Sequence, residues 1–177
     1  MKISQIALWV AALVATAMVA QARPQVSGTT KGGHTSTGAG RVYAGTATGA
    51  KGTATGTGGH VVVPGKGAAR AGTYQATGAN GGSFNSQGVN AVTTQGGFHQ
   101  NNANWNGKNS TGSTSSSGSW KAGQGGTSSS SVEATNKNTG QTYSAEGETQ
   151  YNKETGGSTT VTTGNGTTKT KTYPATP

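Results

Sequence analysis

The chain of 177 residues contains no cysteine. Disulfides and thiolate metal sites are therefore excluded as staples, even in an exporting compartment that would permit them. It contains no aspartate either, and its only acids are Glu133, Glu146, Glu148 and Glu154. Beyond position 22 there is no leucine, isoleucine or methionine. The large side chains of residues 23–177 are nine valines, five tyrosines, two phenylalanines and two tryptophans. Burying one such side chain yields roughly 1.5–3 kcal/mol, while ordering one residue costs about 1–2 kcal/mol of backbone entropy. The whole set returns ~30–50 kcal/mol against a cost above ~150 kcal/mol, so a conventional globular core is excluded. Order must come from long backbone ladders or from assembly; failing both, the chain stays disordered.

The same absences narrow the chemistry. A Ser-His-acid triad needs an acid that orients the imidazole. Here His34, His60 and His99 are far apart, and the acids lie in one later stretch. Glu146 and Glu148 share a strand face by alternation, but a glycosidase pair needs different environments to separate its pKa values. No HxH, HxxxH or HExxH spacing supports a three-histidine zinc site, so solvated loop histidines are expected. Gly65-Lys66-Gly67 and Gly107-Lys108-Asn109 lack the hydroxyl residue and the helix of a phosphate loop. The expectation is a protein without enzymatic activity, with no catalytic residue, no metal site and no cofactor.

What is present begins with an export signal. Lys2 precedes an apolar run from Ile6 to Ala20, and Ala20-Gln21-Ala22 supplies small residues before Arg23. Charge, apolar run and A-x-A site are read by signal peptidase, and about 15 apolar residues fall short of the ~20 that a spanning helix needs. The expectation is cleavage between Ala22 and Arg23, with secretion to a periplasmic, cell-surface or extracellular location. No transmembrane segment would remain after cleavage.

Past the signal, Gly, Ser and Thr dominate, and no run shows the spacing of three to four that marks a helix. The expected fold is all-β: a low-complexity, Gly/Thr/Ser-rich antiparallel β-meander or β-solenoid-like repeat array, partly disordered. Residues 1–22 are the signal and residues 23–40 a flexible lead. Residues 41–126 form a degenerate repeat region, residues 127–173 a better-defined hairpin repeat region, and residues 174–177 a tail.

The C-terminal region carries the clearest strands. Tyr143, Ala145, Gly147, Thr149 and Tyr151 alternate with Ser144, Glu146, Glu148 and Gln150. Asn165-Gly166 separates two Thr-rich runs, a hairpin signal. Lys137-Asn-Thr-Gly140 and Lys153-Glu-Thr-Gly156, each preceded by Asn, lie 16 residues apart and read as glycine-closed turns. Tyr74-Gln-Ala-Thr-Gly78, Phe84-Asn-Ser-Gln-Gly88 and Tyr143-Ser-Ala-Glu-Gly147 form a second repeat, with looser echoes at Trp120 and Phe98. Gly45-Thr-Ala-Thr-Gly49 recurs verbatim as Gly52-Thr-Ala-Thr-Gly56. Such short periodic units suggest a quasi-one-dimensional array. Val61-Val62-Val63 before Pro64 reads as a buried strand.

Three resemblances touch parts of the chain. Ser86–Gln95 with Trp105–Ser110 resembles curlin repeats of amyloid fibres, although Ala91 directly follows Asn90 and no second copy keeps the register. Tyr151-Asn-Lys-Glu-Thr-Gly156 resembles the Tyr-Asp-x-x-Gly turn of YD/RHS repeats, with Asn in place of Asp. Thr-x-Thr steps resemble the ladders of β-solenoid antifreeze proteins. None covers enough of the chain to carry functional residues across.

The formal net charge is +9 at pH 7, spread singly. This charge suits edge protection and solubility, and also attraction to anionic surfaces. The expected function is an exported, non-enzymatic structural, surface or extracellular-matrix repeat protein. The alternative is a secreted module binding anionic or glycan cell-surface polymers. An antimicrobial factor and an ice-binding protein rank below both. Expected partners are further copies of the chain, anionic envelope polymers or glycans, and no specific nucleic acid. The candidate surface-binding residues are Trp105, Trp120, Tyr143, Tyr151, Lys137 and Lys153.

Overall fold

The computed structural model of the protein describes residues 25–35 and 38–175. The expected export signal and its expected cleavage residues Ala20, Ala22 and Arg23 lie outside them. Over the described residues the fold is all-β: eleven strands in one open sheet, each hydrogen-bonded to its chain neighbours. The strands are β1 (Gln25–Thr35), β2 (Gly38–Gly49), β3 (Gly52–Val63), β4 (Gly67–Gly78), β5 (Ser83–Thr93) and β6 (Gly96–Asn106). They continue as β7 (Ser110–Lys121), β8 (Gly125–Asn136), β9 (Thr142–Asn152), β10 (Gly156–Thr163) and β11 (Thr168–Tyr173). Every pairing is antiparallel, so of the two expected architectures the meander is the one formed. The stretch expected as a lead contains β1, and the sheet runs through positions 126 and 127 without a break.

Extended backbone follows from the composition. Thr and Val favour strands, and frequent Gly removes the helical alternative. Short turns then fold each strand back on the last. At Val63-Pro64-Gly65-Lys66 the Lys66 N–H donates to the Val63 carbonyl at 3.0 Å. Proline presets φ at the second position, and Gly65 at φ +70° takes the left-handed third position of a type II turn. The two turns 16 residues apart share one construction. Asn136 Oδ1 accepts the N–H groups of Asn138 and Thr139, and Asn152 Oδ1 accepts those of Glu154 and Thr155. The 16-residue interval is therefore one strand plus one turn, and the two turns lie at opposite ends of the sheet.

The Asn-Gly hairpin also forms, with a different frame. The Gly166 N–H donates to the Thr163 carbonyl, so Gly166 is the fourth residue of the turn rather than its third. Asn165 Oδ1 accepts the Thr167 N–H and the Thr163 hydroxyl. The verbatim pentapeptides are the two arms of the β2–β3 hairpin. Gly-Thr-Ala-Thr-Gly reads the same in both directions, so antiparallel pairing sets like opposite like: Gly45 with Gly56, Thr46 with Thr55, Ala47 with Ala54.

One layer of strands leaves little interior. Among the described residues the buried nonpolar side chains are Ala76 and Ala103. The expectation of a buried Val61–Val63 strand fails. Val61 and Val62 are 45% and 44% exposed, because no second layer covers them. At ~4.8 Å per strand and ~3.4 Å per residue, the layer measures about 48 Å by 40 Å.

Candidate functional site

Register decides which residues meet on a sheet face, because directly opposed residues point the same way and alternate residues point oppositely. Followed across all eleven strands, the pairings sort the side chains into two chemically different faces. One face carries Tyr43, Tyr74, Phe84, Trp105, Trp120, Tyr143, Tyr151 and Tyr173. Phe98 is the one aromatic among the described residues on the other face.

On the aromatic face several rings stand opposite glycines, while Phe84 stands opposite Trp105 and Tyr143 opposite Ala134. Trp105 opposes Gly112, Trp120 stands between Gly97 and Gly126, and Tyr151 stands between Gly126 and Gly157. A Cβ on Gly97 would strike the Trp120 ring, one on Gly112 the Trp105 ring, and one on Gly58 the Tyr43 ring. A ring can fold over the neighbouring strand only where that strand has no side chain. Glycine in a strand costs about 0.5–1 kcal/mol, and the covering ring offsets part of that. Tyr74 and Phe84 pack at 6.0 Å between centroids with their planes 59° apart.

Basic side chains share this face. One row runs straight across adjacent strands from Arg41 through His60, Arg70 and Asn90 to His99. His34, Lys169 and Lys171 stand on the same face, the last with Nζ 5.3 Å from the Tyr173 ring centroid. Beside the cation row lies a row of Gly58, Gly72 and Gly88 on β3–β5. Together the two rows make a shallow trough with the Tyr43 ring lying over Gly58. No glutamate of the strands points to this face.

The opposite face is built from hydroxyls, amides and acids, with an apolar corner at Val42, Val61, Ala69, Ala71 and Val89. Glu133, Glu146 and Glu148 all stand here. Its hydroxyls bond across strands, among them Thr57 to Thr73 at 2.8 Å, Ser115 to Ser131 at 2.8 Å, Ser117 to Ser129 at 3.1 Å and Thr160 to Thr170 at 3.0 Å. Phe98, 46% exposed, borders an open depression of about 800 Å³ with Ser119, Thr127 and Gln150.

The six candidate surface residues divide. Trp105, Trp120, Tyr143 and Tyr151 come together on the aromatic face, the first and third in one row near one end and the other two in a row near the other end. Lys137 and Lys153 do not join them. They occupy turns at opposite ends of the sheet, and the Lys137 ammonium donates to Asn106 Oδ1. The histidines were expected in loops and instead stand in strands, because each follows the parity of its strand. Arg70 and Asn90 separate His60 from His99 in their row, and among the described residues no group of three or more His, Cys, Asp or Glu is placed to hold a metal ion. Sequence reasoning missed Arg41, His60, Arg70 and Tyr43. Alternation within β2, β3 and β4 carries the signal, but only the register joins the strands.

Compared with known protein families, with curated proteins and with solved structures, the chain matches none. Among the described residues no helix is long and apolar enough to cross a membrane, which says nothing of strands.

Proposed function

We propose that the protein is an exported, non-enzymatic structural element of an envelope, cell surface or extracellular matrix. The observation that carries this reading is the single uncovered layer. Domains ordinarily bury a sheet face against a second layer. Here rings on one face and valines on the other stay in solvent, with Tyr143 58% exposed and Val42 59% exposed. A layer of this kind gains stability by stacking on, or joining, further material. Export itself rests on the signal-like first 22 residues. The absence of catalysis is supported by the segregation of His from Glu: the strand acids point to one face and the histidines to the other, so no relay through the two can form. Sedimentation and electron microscopy of residues 23–177, with and without isolated envelope material, test the proposal. Assembly or retention supports it. A protein that remains monomeric and binds no such material overturns it.

A second reading is a module that binds anionic or glycan polymers. It is favoured by one observation, the gathering of cations and rings on a face without acids.

A further inference from the structure

We propose that the trough of the aromatic face is a docking site for a linear anionic polysaccharide lying across the strands. The inference rests on the second reading above and adds the place and the chemistry of the ligand.

Charge complementarity carries it. Arg41, His60 and Arg70 stand on three adjacent strands, and His99 extends the same row two strands further. From Arg41 to His99 the row covers four strand steps, about 19 Å. The strand glutamates stand on the other side of the layer, so nothing on this face neutralises the row internally. A polyanion supplies what the fold leaves out.

The shape of the trough suits sugars. Its floor is Gly58, Gly72 and Gly88, which carry no Cβ; the Tyr43 ring lies over Gly58 and the Asn101 amide over Gly88. The cation row forms one wall, and the tilted Tyr74–Phe84 pair flanks the other side. Tyr43 is 48% exposed and lies along the sheet, so it offers a flat apolar surface to the flat face of a pyranose. Acid groups of a uronate chain then fall on Arg41 and Arg70, two strand steps apart, with the His60 imidazole between them.

Single-stranded nucleic acid is the competing polyanion. It is held by successive bases stacked on successive rings along a cationic groove. Here Tyr43 is the one ring in the glycine row, and the contiguous rings Tyr74, Phe84 and Trp105 step away from the arginine row rather than running along it. Charge along the trough with a single ring in it favours the acidic glycan.

The test measures binding of the full chain to a fluorescent polyuronate, a neutral glucan of similar length and a mixed-sequence single-stranded DNA. Dilution keeps the protein monomeric, as sedimentation checks, so the result stands whether or not the chain assembles at higher concentration. The expected result is polyuronate binding that weakens with salt, with little glucan binding and weaker DNA binding. Arg41→Gln with Arg70→Gln lowers polyuronate affinity by about tenfold. Lys31→Gln with Lys121→Gln removes the same charge from the opposite face and leaves the affinity within about twofold. Circular dichroism confirms that both variants keep the β-spectrum. Equal losses in the two double variants would reduce the effect to net charge and overturn the site. Tighter binding of DNA than polyuronate would reassign the face to nucleic acid, and no binding at low salt would also overturn the proposal.

Discussion

The two faces of this sheet share every backbone hydrogen bond and differ in how their side chains interact. On one, Tyr43, Trp105 and Trp120 each lie over a glycine of a neighbouring strand. On the other, short hydroxyls meet their opposite numbers and bond in pairs. The hydroxyl face can repeat one small residue indefinitely, as in Ser115, Ser117 and Ser119 against Ser131, Ser129 and Thr127. The aromatic face is less regular: Tyr43, Trp105 and Trp120 lie over glycines, whereas Phe84 stands directly opposite Trp105. Where a ring lies over a glycine, that glycine is its packing partner, and a change at either member of the pair is felt by the other.

The comparison breaks most severely at Gly112. A Cβ there meets the Trp105 ring and the Glu133 carbonyl oxygen. Gly112→Val is expected to destabilise by about 3 kcal/mol, read as the shift of the denaturant midpoint by circular dichroism. Gly33, which has nothing within 4 Å of an added Cβ, sets the contrast: Gly33→Val should change stability by less than about 0.5 kcal/mol. Removing a ring from the aromatic face comes next. Trp105 is half-buried over Gly112, and Trp105→Ala should cost about 2 kcal/mol, a fall of ~4–8 °C in thermal midpoint.

Phe98 sharpens the comparison from the other side. It faces Ala91 and Ser119 rather than glycine and covers no bare backbone. Phe98→Ser should cost less than about 1 kcal/mol, well below the tryptophan. The smallest effect belongs to the hydroxyl pairs. Ser117→Ala removes one bond to Ser129 in solvent, and about 0.5 kcal/mol is the expected loss. A serine loss equal to the tryptophan loss would contradict the distinction between the faces.

Much of the fold was legible in the sequence because it is local. The absence of Leu, Ile and Met beyond position 22 excludes a core there, and Gly with Thr disfavours helix. The alternation from Tyr143 to Tyr151 and the paired Asn-led turns are each formed as read. The face was less legible. Turn lengths vary, from two residues at Ala50-Lys51 to five at 137–141, so the parity that points to the aromatic face changes along the chain. It is odd in β2, even in β3, β4 and β5, and odd again in β6. That shift explains the repeats. Tyr74, Phe84 and Tyr143 begin equivalent units on the aromatic face, while the loose echo at Phe98 falls on the other. It also explains why Arg41, His60 and Arg70 look scattered in sequence and yet form one row. Lys137 and Lys153 were chosen as charges beside turns, and turns stand at the rim of a face rather than on it.

The central claim is the register, since faces, trough and cation row all follow from it. The chain has no cysteine of its own, so engineered pairs report without background. Ser117→Cys with Ser129→Cys replaces two opposed hydroxyls 3.1 Å apart and should form a disulfide under mild oxidation. Ser116→Cys with Ser129→Cys sets the two thiols on opposite faces and should not. If the second pair closes as readily as the first, the strands are out of the register described, and the division into two faces falls with it.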